Sequence, residues 1–186
     1  MYSLTPPASP GGAWTESVLY SFTGTPDGAG PTGLTLGKGG VLYGITVVGG
    51  ASGNGTVFSL TPPASPGGAW TESLLYTFTG TSGDGAAPMG LTAGEGGVLY
   101  GTTYTGGLPA CPFAPPDNSC GTVFSLTPPS SAGGAWTETV LHDFMYTDGA
   151  FPTRGVVIGN ASGRTVLFGT TDITPFCYGT AFALEP

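Results

Sequence analysis

Apolar and polar residues alternate cleanly in three places along the chain. Val18, Tyr20 and Phe22 fall on one face of an extended segment, as do Leu74, Tyr76 and Phe78, and again Val140, His142 and Phe144. A period of two marks a strand with one face against a core. These segments, Trp14 to Thr23, Trp70 to Thr79 and Trp136 to Met145, are the last members of a recurring set of four. The first member runs from Pro31 to Gly37, with counterparts at Pro88 to Gly94 and Pro152 to Gly159. The second, Val41 to Thr46, returns at Val98 to Thr103 and Val166 to Thr171; the third, Gly55 to Leu60, returns at Gly121 to Leu126 and Gly179 to Leu184. No stretch has helical periodicity, and Gly, Pro and Asp punctuate the intervals.

The copies are repeats in letters as well as in pattern. Ser3 to Ser17 returns unchanged at Ser59 to Ser73, and with small changes at Ser125 to Thr139. Trp14, Trp70 and Trp136 lie 56 and 66 residues apart, and the ten-residue excess sits around Cys111 to Cys120. Insertions of that kind belong in a loop on one face of a repeat array. Four strands recurring at this period predict an all-β fold, a β-propeller built of four-stranded antiparallel blades with about three blades per chain. Residues 1–186 read as a single repeat array, with copies at approximately 1–57, 58–122 and 123–186.

The residues also carry a family likeness. Val18 to Gly24, Asp27-Gly28-Ala29, Pro31, Gly33-Leu34, Gly40 to Gly44 and Gly55 to Leu60 together resemble the GloVer tandem repeat of bacterial choice-of-anchor surface proteins. The likeness spans nearly the whole chain. It implies a secreted, surface-attached repeat protein with propeller-like blades, and brings no catalytic residue set with it. The third copy departs most, through the hairpin from Asn160 to Thr165 and through Cys177-Tyr178.

Composition narrows the functions. Gly (35) and Pro (18) make up more than a quarter of the 186 residues, which alone would suggest disorder, but 39% hydrophobic residues at regular positions argue for a core. The net charge of −8 reflects scarce bases: Lys38, Arg154 and Arg164 are the only cations besides His142. A phosphate backbone would find almost nothing to neutralise it, so nucleic acid is excluded as a partner, and anionic membrane surfaces are disfavoured. No apolar run approaches the roughly 18 residues that span a bilayer. Met1-Tyr2-Ser3-Leu4 has no signal-peptide character and falls inside a repeat, as expected of a mature or trimmed piece of something longer.

Counting strands gives a sharper expectation. If the strand after Pro31 is innermost, the chain holds a third and fourth strand, two full sets, and a final set without its fourth strand. Bare sheet edges invite pairing. Self-association by strand completion, head to tail into a ring or filament, is therefore expected, with a fragment of a longer chain as the alternative.

Individual residues sort mostly into structural roles. Cys111 and Cys120 bracket the inserted loop and are expected to form a disulfide, which suits an extracellular or cell-surface location; Cys177 has no evident partner. No metal or other cofactor is expected, because the single His142 lies far from the cysteines and no Cys-x-x-Cys occurs. His142 replaces Tyr20 and Tyr76, so filling an aromatic position is its plainest role. Asp27, Asp84 and Asp148 each precede Gly-Ala and are expected to shape turns; Glu16, Glu72 and Glu138 are expected at exposed outer edges. Asn54 and Asn160 match glycosylation sequons. The reading is of a non-catalytic extracellular scaffold. The alternative is a carbohydrate-binding, lectin-like module using Tyr104 and Arg154, the latter shared with Arg164 as a mark of the divergent copy. Core packing is the simpler role for Tyr43 and Tyr100.

Overall fold

A computed structural model of the chain describes residues 1–81, 83–109, 111, 119–131, 133–173 and 178–186. The protein is all β, with four antiparallel sheets, each made of strands consecutive in sequence. β1 (Tyr2–Thr5) pairs with β2 (Thr15–Val18). β3 (Ala29–Leu36), β4 (Leu42–Val48), β5 (Thr56–Thr61) and β6 (Thr71–Thr77) form a meander. β7 (Gly85–Ala93), β8 (Leu99–Gly106), β9 (Thr122–Thr127) and β10 (Thr137–Asp143) repeat it, and β11 (Val157–Ala161), β12 (Arg164–Thr170) and β13 (Ala181–Leu184) form a three-stranded sheet. The two-four-four-three grouping follows the strand count read from the sequence, and no sheet interleaves strands from distant copies.

Local chemistry explains the strand boundaries. β3 and β4, like β7 and β8, are joined through short 3-10 turns at Lys38–Gly40 and Glu95–Gly97. Here Gly39 and Gly96 take left-handed φ of 68° and 65° that side chains resist. The hairpin from Asn160 to Thr165 closes on two residues, Ser162 and Gly163, with Asn160 Oδ1 accepting the Gly163 N–H. The expected strand from Pro152 begins later, at Val157, because residues 150–156 serve the neighbouring sheet: Phe151 N–H donates to Cys120 O, and Arg154 O accepts the Thr102 hydroxyl. β2 stops at Val18 rather than near Thr23 because β1 supplies partners only as far as Tyr2, with Met1 O taking the Leu19 N–H.

The core lies between sheets rather than within them. Thr56 to Leu60 on β5 and Thr122 to Leu126 on β9 are buried throughout, as befits strands covered on both faces. One cluster, with Ile45, Val57, Phe78, Leu99 and Phe124, joins the two four-stranded sheets; another, with Val123, Phe144, Val156 and Leu167, joins β7–β10 to β11–β13.

The simple alternation along the fourth strands does not hold. Val57 opposes Tyr76 and Phe58 opposes Leu74, so Leu75 is an extra residue, and Leu141 is its counterpart on β10. These bulges turn Leu75 and Leu141 toward the clusters and leave Leu74 41% exposed. Cys111 and Cys120 form a disulfide, with Cα atoms 5.2 Å apart, beside the second cluster. Cys177 and the inserted segment 112–118 lie outside the described residues.

Candidate functional site

The chemistry of this chain is concentrated where one sheet meets the next, and each junction uses the same parts. A phenylalanine near the end of one sheet's fourth strand meets edge-on a phenylalanine from the next sheet's third strand: Phe22 on Phe58 at 4.7 Å, Phe78 on Phe124 at 5.1 Å, Phe144 on Phe182 at 5.2 Å. Threonine hydroxyls pair across the second and third strands, Thr46 with Thr56, Thr103 with Thr122 and Thr171 with Thr180. Thr56 and Thr180 also donate to the carbonyls of Asp27 and Asp148, tying the strands to the preceding turn.

The aspartates hold those turns. Asp27 accepts the N–H and hydroxyl of Thr23; Asp84 accepts those of Thr79 and the N–H of Gly85; Asp148 accepts the N–H of Met145. Each also meets the ring two residues before the junction phenylalanine. The Tyr20 hydroxyl donates to Asp27 at 2.9 Å, Tyr76 faces Asp84, and His142 Nε2 lies 2.9 Å from Asp148. Tyr20, Tyr76 and His142 pack edge-on to Phe22, Phe78 and Phe144, so His142 does occupy the aromatic position.

A second carboxyl completes the two inner junctions, contrary to the expectation of exposed edges. Glu72 and Glu138 reach back from the next sheet, and one carboxyl oxygen of each is buried without a hydrogen-bond partner. Burial and Asp27 push Glu72 up, and burial, Asp84 and Asp143 push Glu138 up to about 7. Burial, Asp27 and Glu72 push Tyr20 up to about 12. For Asp27 burial acts upward too, but the hydrogen bonds from Thr23 and Tyr20 outweigh it and hold the carboxyl below its ordinary value. Glu16 alone is exposed as expected.

These shifts set an expected pH response. Glu138 binds its proton more tightly folded than unfolded, so its stabilising contribution is complete below its ordinary value of 4.5 and is lost as pH rises through about 7. Asp27 acts oppositely, its contribution being lost only as pH falls below its ordinary carboxylate range. Thermal unfolding from pH 4.5 to pH 8 should show the wild type losing stability, while Glu138→Gln, in which Glu72 still titrates, loses less and is about 1 kcal/mol more stable than the wild type at pH 8, a value discounted for the half-exposed site. Parallel curves would mean that Glu138 is solvated like a surface carboxylate.

The third junction is different. The side chains of His142 and Asp148 are 37% and 42% exposed, whereas Asp27 and Asp84 are 6% and 7% exposed. An opening of about 190 Å³ is lined by His142, Asp148, Phe144 and Phe182, with a larger one of about 510 Å³ nearby at Tyr100, Leu141 and Arg164. The smaller opening pairs a base with a carboxylate, and among the described residues no hydroxyl or thiol lines it. Asp143 points elsewhere, accepting the Leu108 N–H.

One junction built three times from one residue set is the mark of a tandem repeat, and a family profile described as the Gloeobacter/Verrucomicrobia repeat matches residues 1–186. The chain belongs to that family. No curated protein matches it. In this Gloeobacter/Verrucomicrobia repeat, Tyr104 and Arg154 both lie where β8 meets the segment before β11. The Tyr104 ring is stacked on Phe151 at 5.0 Å, while Arg154 is exposed in the segment before β11. Tyr43 meets Trp136, Tyr100 packs against the second cluster, and Arg164 is paired with Glu185. The Tyr–Asp pairing escaped the sequence reading, although Tyr20/Asp27, Tyr76/Asp84 and His142/Asp148 recur at similar offsets.

Proposed function

We propose that this protein is a non-catalytic, extracellular or cell-surface scaffold whose sheets are successive blades of a β-propeller, and that it assembles head to tail. The observation that carries this reading is the repetition of one junction along the chain with two unlike ends: a two-stranded sheet at the front and a three-stranded sheet at the back. Units that bury their faces only against neighbours stack as arrays, and an array with complementary ends extends through copies of itself. The disulfide Cys111–Cys120 suits an oxidising compartment. Among the described residues, no helix is long and apolar enough to cross a membrane. Sugar stacking needs a bare ring face, and of the candidate tyrosines Tyr43 meets Trp136 and Tyr104 has one face stacked on Phe151, whereas Tyr100 lines the larger opening.

Mass measurement of the purified 186-residue chain tests the reading. Multiples of the chain mass that grow with concentration are expected, and low-resolution images of them should show rings or filaments. A stable monodisperse monomer at tens of micromolar would overturn head-to-tail assembly.

A further inference from the structure

The inner junctions show what fills the place that is open at the third. Where β3–β6 meets β7–β10, the last strand of the second sheet reaches back: Trp136 packs on Tyr43 at 6.1 Å, and Glu138, two residues on, comes beside Asp84. Where β7–β10 meets β11–β13, β13 has no strand on its outer side among the described residues. The two openings described above lie there instead. Tyr100 in the larger is the repeat counterpart of Tyr43, and His142–Asp148 in the smaller is the counterpart of Tyr76–Asp84.

The front of the chain carries the matching parts with little against them. On and just before β2, Trp14 is 61% and Val18 65% exposed, and Glu16 between them is exposed. β2's present neighbour, β1, has the same place in the repeat as β13: Tyr2-Ser3-Leu4 corresponds to Phe182-Ala183-Leu184. The two strands are therefore interchangeable partners for β2.

We propose that β13 of one copy replaces β1 beside β2 of a second copy, so that Trp14 of the second copy enters the opening at Tyr100 and Glu16 reaches the His142–Asp148 pair. The partner is thus a second copy of this chain, and the inference rests on the head-to-tail reading above. Its energetics are those of an exchange. The pairs Tyr2↔Val18, Ser3↔Ser17 and Leu4↔Glu16 give way to Phe182↔Val18, Ala183↔Ser17 and Leu184↔Glu16, so ladder hydrogen bonds roughly cancel. The surplus is burial of Trp14 and Val18, a tryptophan alone contributing roughly 150–250 Å². Charge favours the same occupant. Glu72 and Glu138 enter junctions that offer a tyrosine and an aspartate, where like charge opposes them. The open junction offers His142 in place of that tyrosine, an imidazole whose ring N–H can donate a hydrogen bond to a carboxylate, as its 2.9 Å contact with Asp148 illustrates.

The test pairs single cysteines in chains that also carry Cys177→Ser. Ser17→Cys and Ala183→Cys chains are mixed, oxidised mildly and run without reductant, with native mass measured in parallel. The mixture is expected to yield a covalent dimer containing one of each chain, while neither variant links alone. Adding Trp14→Ala to the Ser17→Cys chain should cut the yield by about tenfold without moving the melting temperature, since Trp14 is exposed in the single chain. If the chains assemble by mass but form no mixed disulfide and ignore Trp14→Ala, this docking is overturned and the scaffold reading stands. A monomeric mass throughout would overturn both.

Discussion

Phe78→Ala should cost about 3–5 kcal/mol of stability, a large share of the total for an ordinary domain. Phe78 is fully buried, edge-on to Phe124 and Tyr76, in the cluster that joins the two four-stranded sheets. Its removal leaves a cavity bounded by backbone-paired strands on both sides, which cannot close without shifting a whole sheet. Phe22→Ala is the internal comparison: Phe22 makes the equivalent contact with Phe58 but is only half-buried, because the sheet behind it has two strands. Its cost should be about 1–2 kcal/mol, mostly the lost transfer term. Since each sheet touches only its neighbours, Phe78→Ala should also weaken cooperativity and split the urea transition into two steps. Trp136 packs on Tyr43 at the same junction, so tryptophan fluorescence reports on it directly. Equal losses for the two substitutions would mean that the sheets do not share their principal core at Phe78.

Strand identity and grouping were legible because the repeat aligns every strand with two others, and a pattern too short to trust once becomes firm when it recurs. The burial of the fourth strand was not legible. Alternation put Leu74 with Tyr76 and Phe78, but the bulge at Leu75, set by pairing with β5, is a property of two strands together. Glu72 and Glu138 read as edge charges because their surroundings come from the preceding sheet, some 45 to 54 residues earlier at Asp27 and Asp84. Glu16, on the first of the four sheets, is the one of the three that is exposed as read. Tyr104 shows the same limit, since its cover, Phe151, belongs to the next sheet. Strand identity and order follow from local sequence, the bulges need the pairing of two strands, and junction chemistry needs the offset between sheets, which only the recurring Tyr–Asp and Phe–Phe pairs encode.

Gly121→Ala should be as damaging as the loss of a core phenylalanine, about 3–5 kcal/mol, for reasons that the repeat shares. Gly121 precedes β9 with φ of 89°, and a Cβ there would strike Thr103 O and Tyr104 O of its own sheet and Pro152 Cδ of the next. Left-handed strain alone costs an alanine roughly 1–2 kcal/mol. The larger part comes from the clash, because the obstructing carbonyls belong to β8 and Phe144 N–H donates to Gly121 O, which leaves the residue no direction in which to yield. The corresponding Gly55 meets Thr46 O and Pro88 Cδ, and Gly179 meets Thr171 O, so the Gly-Thr that opens each third strand is a packing requirement rather than a turn preference. Gly67→Ala separates the two contributions: its φ of 81° is similar but nothing lies within 4 Å, and only about 1–2 kcal/mol should be lost there. Chemical denaturation of the two variants side by side measures the difference. A Gly121→Ala protein as stable as Gly67→Ala would show that the Thr103 and Tyr104 carbonyls can give way to a side chain at this position.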